Sequence, residues 1–560
     1  MDNQRLILLV ALSFTFLLLW QAWQEDYYRP ASQSVSDSRD LSTDTPGSPS
    51  LSSANQRQQA ADLPTAPAAI NDDIQVTASE TAGRPIRVET DRVIAEIDLL
   101  GGQLTDLWLK DYPVELDKPE EPFALFKRRA SGVLTGQFGL VVNEGTAVTH
   151  NERFTAEKYE YRLEEDEDEL RIPLQWVTDS GLKVTKIYTF RRDSYQVGLG
   201  HRIENGTDSI WKGSQYAQLV RSGAGEGENS IMMPTYTGGA IYSQQEGYEK
   251  LTFADLASER FSNRIITDGW LAFIQHYFVA ALIPERGAMG HYYGQRQKNS
   301  GLYALGVTTH SKTIQPGAQD EFHVSLFAGP KIQNRMSAAA AELDRAVDYG
   351  YLYVLSKPLF WLLDHIHAIV GNWGWAIIVL TLLIKLVFFK LSETGYRSMA
   401  RMRKLTPRIQ QLRERYAGDK QRMNQAMMDL YKTEKINPMG GCFPMLVQIP
   451  VFIALYYVLL ESVEMRQAPW IFWIRDMSQM DEYFVLPLLM GITMFVQQKL
   501  NPPPPDPMQA KIMTMLPVVF TVFFAFFPAG LVLYWFANNL LSIAQQWVIN
   551  RRIERDVKPA

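Results

Sequence analysis

Cysteine is nearly absent: Cys442 is the only one in 560 residues. A single thiol cannot form an internal disulfide, and no Cys–His cluster offers a metal site. No lipid-attachment cysteine follows the N-terminal apolar run. Histidine is scarce as well, with 8 residues. The close pair in Asp364-His365-Ile366-His367 puts its rings two positions apart. Such positions do not share a helix face, so interfacial polarity explains them better than metal binding. The chain also lacks a Gly-x-Ser-x-Gly elbow, a His-Glu-x-x-His helix and a dinucleotide fingerprint. These absences leave no catalytic residue, metal or cofactor to expect, and a protein that is not an enzyme. The formal charge of -6 lacks the basic excess of a general nucleic-acid binder, so no DNA partner is expected.

What is present is unevenly placed. The hydrophobic fraction of 46% is ordinary, but the middle is polar and the ends are lipid-like. Residues 6–20 are apolar apart from Ser13 and Thr15. Trp20 and Trp23 stand where a small-residue cleavage site would be, which favours an uncleaved anchor over a signal peptide. Residues 28–82 are rich in Ser, Asp, Gln, Pro and Ala. They cannot bury enough apolar surface to offset their ordering entropy and read as a disordered tether. From about 84 to 331 the pattern changes to period two. Residues 87–97, 170–176, 183–190, 195–203 and 322–327 alternate between turns of Gly, Asn and Asp, the signature of a large antiparallel β-sandwich. Residues 337–349 read as an Ala-rich helix, and 352–370 as an amphipathic helix in the membrane surface.

Stretches 373–391, 443–460, 483–500, 512–527 and 531–549 are long enough, or nearly so, to cross lipid. With the N-terminal anchor they make six spans, the short one at 512–527 accommodated by local thinning of the bilayer. The loop 392–441 carries Arg401, Arg403, Lys404, Arg408, Arg413 and Arg415 among other basic residues. That loop and the tail beginning Arg551-Arg552 are expected on the cytoplasmic side. Six spans then put both termini in the cytoplasm and the sandwich outside, in the periplasm of a Gram-negative cell. The loop reads as a helical hairpin. Thr406-Pro407 supplies an N-cap and a first helical residue, Gly418-Asp419 a turn, and 421–432 the second arm. Gly440 and Gly441 follow as a hinge.

Lys385 is the most informative residue, because it lies inside the apolar run 377–389. A charge at that depth faces a cavity or a partner unless its stem snorkels to the headgroups. No acidic residue lies deep in another expected span to neutralise it. Thr381, Gln448, Thr493, Thr521, Asn538 and Asn539 also fall within spans. Taken singly, back-bonding or interhelical hydrogen bonds explain them. Grouped around an unpaired cation, they favour a wet groove open to the cytoplasm.

The segments NPMGGCFPMLVQIP (437–450), ALYY (454–457), VEMRQAP (463–469), LPLLMGITMF (486–495) and FPAGLVLY (527–534) carry a resemblance. They resemble the YidC insertase family, which bacteria share with mitochondria and chloroplasts, and the layout resembles its Gram-negative form. The resemblance implies a membrane protein insertase and chaperone in the bacterial inner membrane. It would insert, fold and help assemble inner-membrane proteins, alone or with the Sec translocon (SecYEG, SecDF). Its partners would be nascent membrane proteins, the lipid bilayer and, at the basic hairpin, the ribosome or the signal recognition particle receptor. The family's groove usually carries arginine where this chain has Lys385, which keeps the charge but loses bidentate carboxylate recognition. Thr381, Gln448 and Asn538 match groove positions, and Tyr534-Trp535 falls where relatives often carry a Tyr pair against the substrate helix.

The fold class expected is an α-helical polytopic membrane protein, with six transmembrane helices of which five form the insertase core, plus a large periplasmic antiparallel β-sandwich. Its divisions are an anchor (1–27), a tether (28–82), the sandwich (83–335), a periplasmic-side and interfacial helix (336–371), the second span (372–391), the basic hairpin (392–441), four spans (442–550) and a short tail (551–560). A solute transporter is the first rival, but no inverted repeat is found. A membrane-anchored carbohydrate-binding, mutarotase-like protein is the second. It predicts that removing 84–331 abolishes function, whereas an insertase would keep most of its activity.

Overall fold

The computed structural model describes residues 84–129, 132–223, 235–258, 261, 264–416, 418–434, 443–501 and 507–557. The expected anchor, the tether and the hinge at Gly440 and Gly441 lie outside the described residues, as does the end of the tail.

Strands between Ile86 and Pro330 form two sheets, one of 11 strands and one of 9. Pairing is antiparallel except where Ile86–Glu89 runs parallel to Glu160–Arg162. The period-two pattern becomes burial directly: Val93, Ala95 and Ile97 are buried in Val93–Asp98 while Ile94 and Glu96 are half-buried. Residues 87–97 are not one strand, as their alternation suggests, but two. Ile86–Glu89 and Val93–Asp98 are joined by a tight turn. The Thr90 hydroxyl accepts from the amides of Arg92 and Val93 at 3.2 and 3.0 Å, giving the backbone a local alternative to continuing the strand. The sandwich interior holds a relay of polar side chains: Tyr293 donates to Gln218, Gln218 to Gln137 and Gln137 to Gln103.

Ten helices are described: α1 Phe253–Ala257, α2 Gln333–Ala339, α3 Tyr353–Val370, α4 Trp373–Val387, α5 Phe389–Arg415, α6 Lys420–Thr433, α7 Phe443–Glu461, α8 Val485–Leu500, α9 Pro507–Phe524 and α10 Ala529–Val557. The single helix expected at 337–349 is replaced by α2 and a short 3-10 turn at Leu343–Ala346. Ala340 is extended and Glu342 adopts φ 57°, and the Ala341 carbonyl accepts from the Trp270 indole at 2.8 Å. That break turns Leu343 and Val347 into the core. Pro407 does not start a helix; it lies inside α5. Its ring removes one backbone hydrogen bond from a helix that continues almost directly from α4. Asp419 does cap α6, accepting from the amides of Gln421 and Arg422.

No single described helix is long and apolar enough by itself to cross a membrane. α4 and the first half of α5 qualify as a pair but are bent by 67° at Phe388, and Val447–Glu461, Val485–Leu500 and Ala510–Phe524 are shorter apolar stretches. α10 has the length, but Asn538, Asn539, Gln545 and Gln546 lower its hydropathy. The helices pack at close quarters. A side chain at Gly491 of α8 would overlap the Thr521 hydroxyl of α9, so glycine is what lets those backbones approach.

Candidate functional site

Several of the polar residues inside the helical region share one cavity. It has a volume of about 710 Å³ and is walled by α4, α5, α7, α8, α9 and α10. α4 brings Lys385, α7 brings Gln448 and Phe452, and α10 brings Tyr534, Trp535, Asn538, Asn539 and Ser542. α8 and α9 add Met494, Phe495, Met513 and Thr514. Methionine and aromatic side chains therefore share the lining with polar ones, and α8 adds Gln498 and Lys499.

The polar wall follows from helical spacing. Asn538 and Ser542 are four residues apart on α10, so they stack on one face. The Ser542 hydroxyl donates to the Asn538 carbonyl at 2.7 Å, and its lone pair accepts from Lys385 Nζ at 2.8 Å. Among the described residues no carboxylate comes within ion-pair distance of Lys385, which is 8% exposed. Among the described residues, the amide nitrogen of Asn539 and both amide atoms of Gln545 are buried without a hydrogen-bond partner. One turn on, Gln546 donates to Leu500 and Asn501 at the end of α8.

The end of the cavity nearer the sandwich is packed with rings. Phe452 lies 4.5 Å from Trp535, edge to face, and 5.7 Å from Tyr534. Phe524 reaches Trp535 at 4.7 Å.

Of the residues expected to line a groove, Lys385, Gln448, Tyr534, Trp535 and Asn538 line this cavity. Thr381 does not. It is buried away from the cavity, and its hydroxyl donates to the Ile377 carbonyl one turn back at 2.6 Å. Asn539, expected in the polar group around Lys385, lines the cavity too, whereas Ser542 was missed as a cavity residue. The signal for Ser542 was its spacing from Asn538 and Gln545 through an otherwise apolar stretch. In the basic hairpin the side chains of Arg401, Arg408 and Arg415 are described and exposed, and Arg408 pairs with Glu434 across α5 and α6. The side chains of Arg403, Lys404 and Arg413 lie outside the described residues. The His365 ring donates to the Trp361 carbonyl at 2.8 Å and lies tilted against the Trp361 ring at 4.0 Å, while His367 stacks on Trp373.

The family model for the 60Kd inner membrane protein matches residues 365–556, and that for the YidC periplasmic domain matches 85–362. A curated relative, the membrane protein insertase YidC of Nitrosococcus oceani, is 49% identical over 99% of this chain and 100% of its own. The chain belongs to the YidC family of membrane protein insertases. Among its YidC relatives, that of Thioalkalivibrio sulfidiphilus is 48% identical over 99% of both chains, and that of Pseudomonas aeruginosa 42% over 100% of both. A YidC insertase crystal structure with its first transmembrane domain resolved covers 83% of this chain and 92% of its own, at 18% identity and a TM-score of 0.38. A galactose mutarotase related enzyme from Lactobacillus acidophilus covers 44% of this chain and 97% of its own, at 10% identity and a TM-score of 0.29. As a YidC insertase the protein belongs to the inner membrane, carries a periplasmic domain, and is not an enzyme.

Proposed function

We propose that this YidC-family chain inserts nascent membrane proteins by drawing their polar outer segments into the cavity around Lys385. The observation that carries the reading is a buried cation, Lys385, on a polar wall inside an apolar helical bundle. An unpaired charge and orphaned amides at that depth call for water, because lipid cannot satisfy them. A wet cavity shortens the distance over which polar backbone must travel through hydrocarbon. Lys385 attracts acidic groups of the incoming tail, while Ser542 holds its ammonium toward the cavity. The apolar span then leaves along the wall of α7, α9 and α10, past Gln448, Thr514 and Trp535. No bond is made or broken, so no catalytic residue is required.

The same reading puts both termini and the basic hairpin of α5 and α6 in the cytoplasm, with six spans and the sandwich outside. Arg401, Arg403, Lys404, Arg408, Arg413 and Arg415 would then meet the ribosome or the signal recognition particle receptor. Gly440 and Gly441 would hinge the hairpin. Handover from the Sec translocon is a second mode of the same cavity. The test is insertion of a short single-span substrate with an acidic outer tail into liposomes holding only this purified protein, read by protease protection. Protection that vanishes with Lys385→Glu supports the reading. Full protection with Lys385→Glu removes it.

A further inference from the structure

The sandwich and the helices meet at a buried ion pair. Lys331 follows the last sandwich strand, Gln319–Pro330, and Glu461 ends α7. Lys331 Nζ lies 2.9 Å from Glu461 Oε2, with the two side chains 0% and 2% exposed. A pair held that deep is costly to break from one side only, because the survivor keeps a buried charge without compensation.

The surrounding contacts hold the same end of α7. The Lys331 amide donates to the Tyr277 carbonyl at 2.9 Å, and the neighbouring His276 ring bonds the Leu460 carbonyl at 2.9 Å. In the loop leaving α7, Arg466 and Gln467 donate to the Pro113 carbonyl at 2.6 and 2.9 Å. Farther along, Arg475 pairs with Asp117 at 2.9 Å. From the other side, Ser356 of α3 donates to the Ala454 carbonyl at 3.3 Å.

α7 is also the helix that brings Gln448 and Phe452 to the cavity. Pro450 lies inside it, between Gln448 and the anchored end. A proline there removes a backbone hydrogen bond and makes a bending point. A helix with such a point holds its wall in place only if the outer half is fixed.

We propose that the Lys331–Glu461 pair makes the sandwich a brace for the outer half of α7, and that both residues are positioning residues for insertion. The insertase core then begins at Lys331, inside what the sequence assigns to the outer domain. The proposal rests on the cavity reading above for its link to activity, but the position of α7 can be read independently.

The test uses the full chain in liposomes, with Cys442 replaced by serine and spin labels at Glu285 and Ile453. Summed rise per residue puts the labels at most about 40 Å apart, within reach of pulsed distance measurement. Lys331→Met is expected to broaden the distance distribution and to lower insertion about tenfold. Adding Glu461→Met, which replaces the pair by apolar groups of similar size, is expected to restore both to within about twofold of the parent. If Lys331→Met does not accumulate, Glu461→Gln takes its place, since it leaves the buried ammonium without its counter-charge. An unchanged distribution, insertion at the parent rate, or no recovery in the double variant overturns the proposal. Lys385→Glu is measured beside them: normal insertion by that variant refutes the cavity reading alone, because the distance distribution does not depend on it.

Discussion

Reversing the charge at Lys385 should block substrates with acidic outer tails and spare neutral ones. The size of the effect follows from the cavity. A sphere of 710 Å³ has a radius of about 5.5 Å, so a carboxylate at its centre sits about that far from a wall charge. With an effective dielectric constant of about 40, between bulk water and a protein surface pair, the attraction is about 1.5 kcal/mol. Lys385→Glu turns attraction into equal repulsion, a change of about 3 kcal/mol, or roughly 100-fold in the rate of entry. At the dielectric of water the change halves to about 1.5 kcal/mol, still roughly tenfold. The assay is protease protection of two matched single-span substrates, one with two aspartates in its outer tail and one with two asparagines. The ratio of their initial rates cancels differences in the amount of folded insertase. Raising salt should shrink the wild-type preference only partly, because a recessed charge is screened less than a surface one. A ratio for Lys385→Glu within about twofold of wild type would refute electrostatic capture at this site, since even the aqueous limit predicts more.

Ser542→Ala should cost the acidic substrate about threefold or less, because it frees the Lys385 ammonium from its 2.8 Å acceptor without removing its charge; the same ratio assay checks it. Thr381→Val should insert both substrates at wild-type rates, since the hydroxyl serves only the Ile377 carbonyl; a selective loss with the acidic substrate would return Thr381 to the cavity. Gly491→Leu should separate α8 from α9 and lower the melting temperature by several degrees, at a cost of about 2 kcal/mol for overpacking, read by thermal aggregation in detergent. The fourth expectation concerns pH. Burial, with Lys331 nearby, pushes the His276 ring from its ordinary value of 6.5 down to about 4. The folded state therefore prefers the neutral ring, so its contribution is complete above the unfolded pKa and is lost as pH falls from about 6.5 toward 4. Discounted for partial exposure, the loss is on the order of 2 kcal/mol. Melting from pH 7.5 to 4.5 should fall more steeply in wild type than in His276→Gln, and parallel curves would contradict the assignment.

The legible parts of this chain are those where a local pattern meets a local cause. Alternation in 170–176 and 183–190 became paired strands at Glu169–Val177 and Leu182–Arg191 because period two has one structural solution. The turn at Gly418-Asp419 was legible, and the structure adds that Asp419 caps α6 through its side chain and two amides. The misread segments failed where tertiary contacts outweighed local preference. Residues 337–349 have helical composition, but burying Leu343 and Val347 required the break at Ala340 to Glu342. Pro407 has the sequence signature of a helix start, yet α5 runs through it.

The candidate site divides the same way. The sequence alone determined that a lysine sits in an apolar run without an acidic partner in any expected span, because burial cost depends on residue type and surroundings of like kind. It also set the amides of α10 on one face, because helical spacing is fixed at 3.6 residues per turn. Only the tertiary structure decided that Ser542, which donates to its own helix just as Thr381 does, also accepts from Lys385. Both are hydroxyls in apolar helices, and which one a cation can reach depends on how two helices cross. The same holds for Lys331 and Glu461, which are 130 residues apart. Each reads as an ordinary surface charge in its own segment, and the meeting of sandwich and α7 is what buries both.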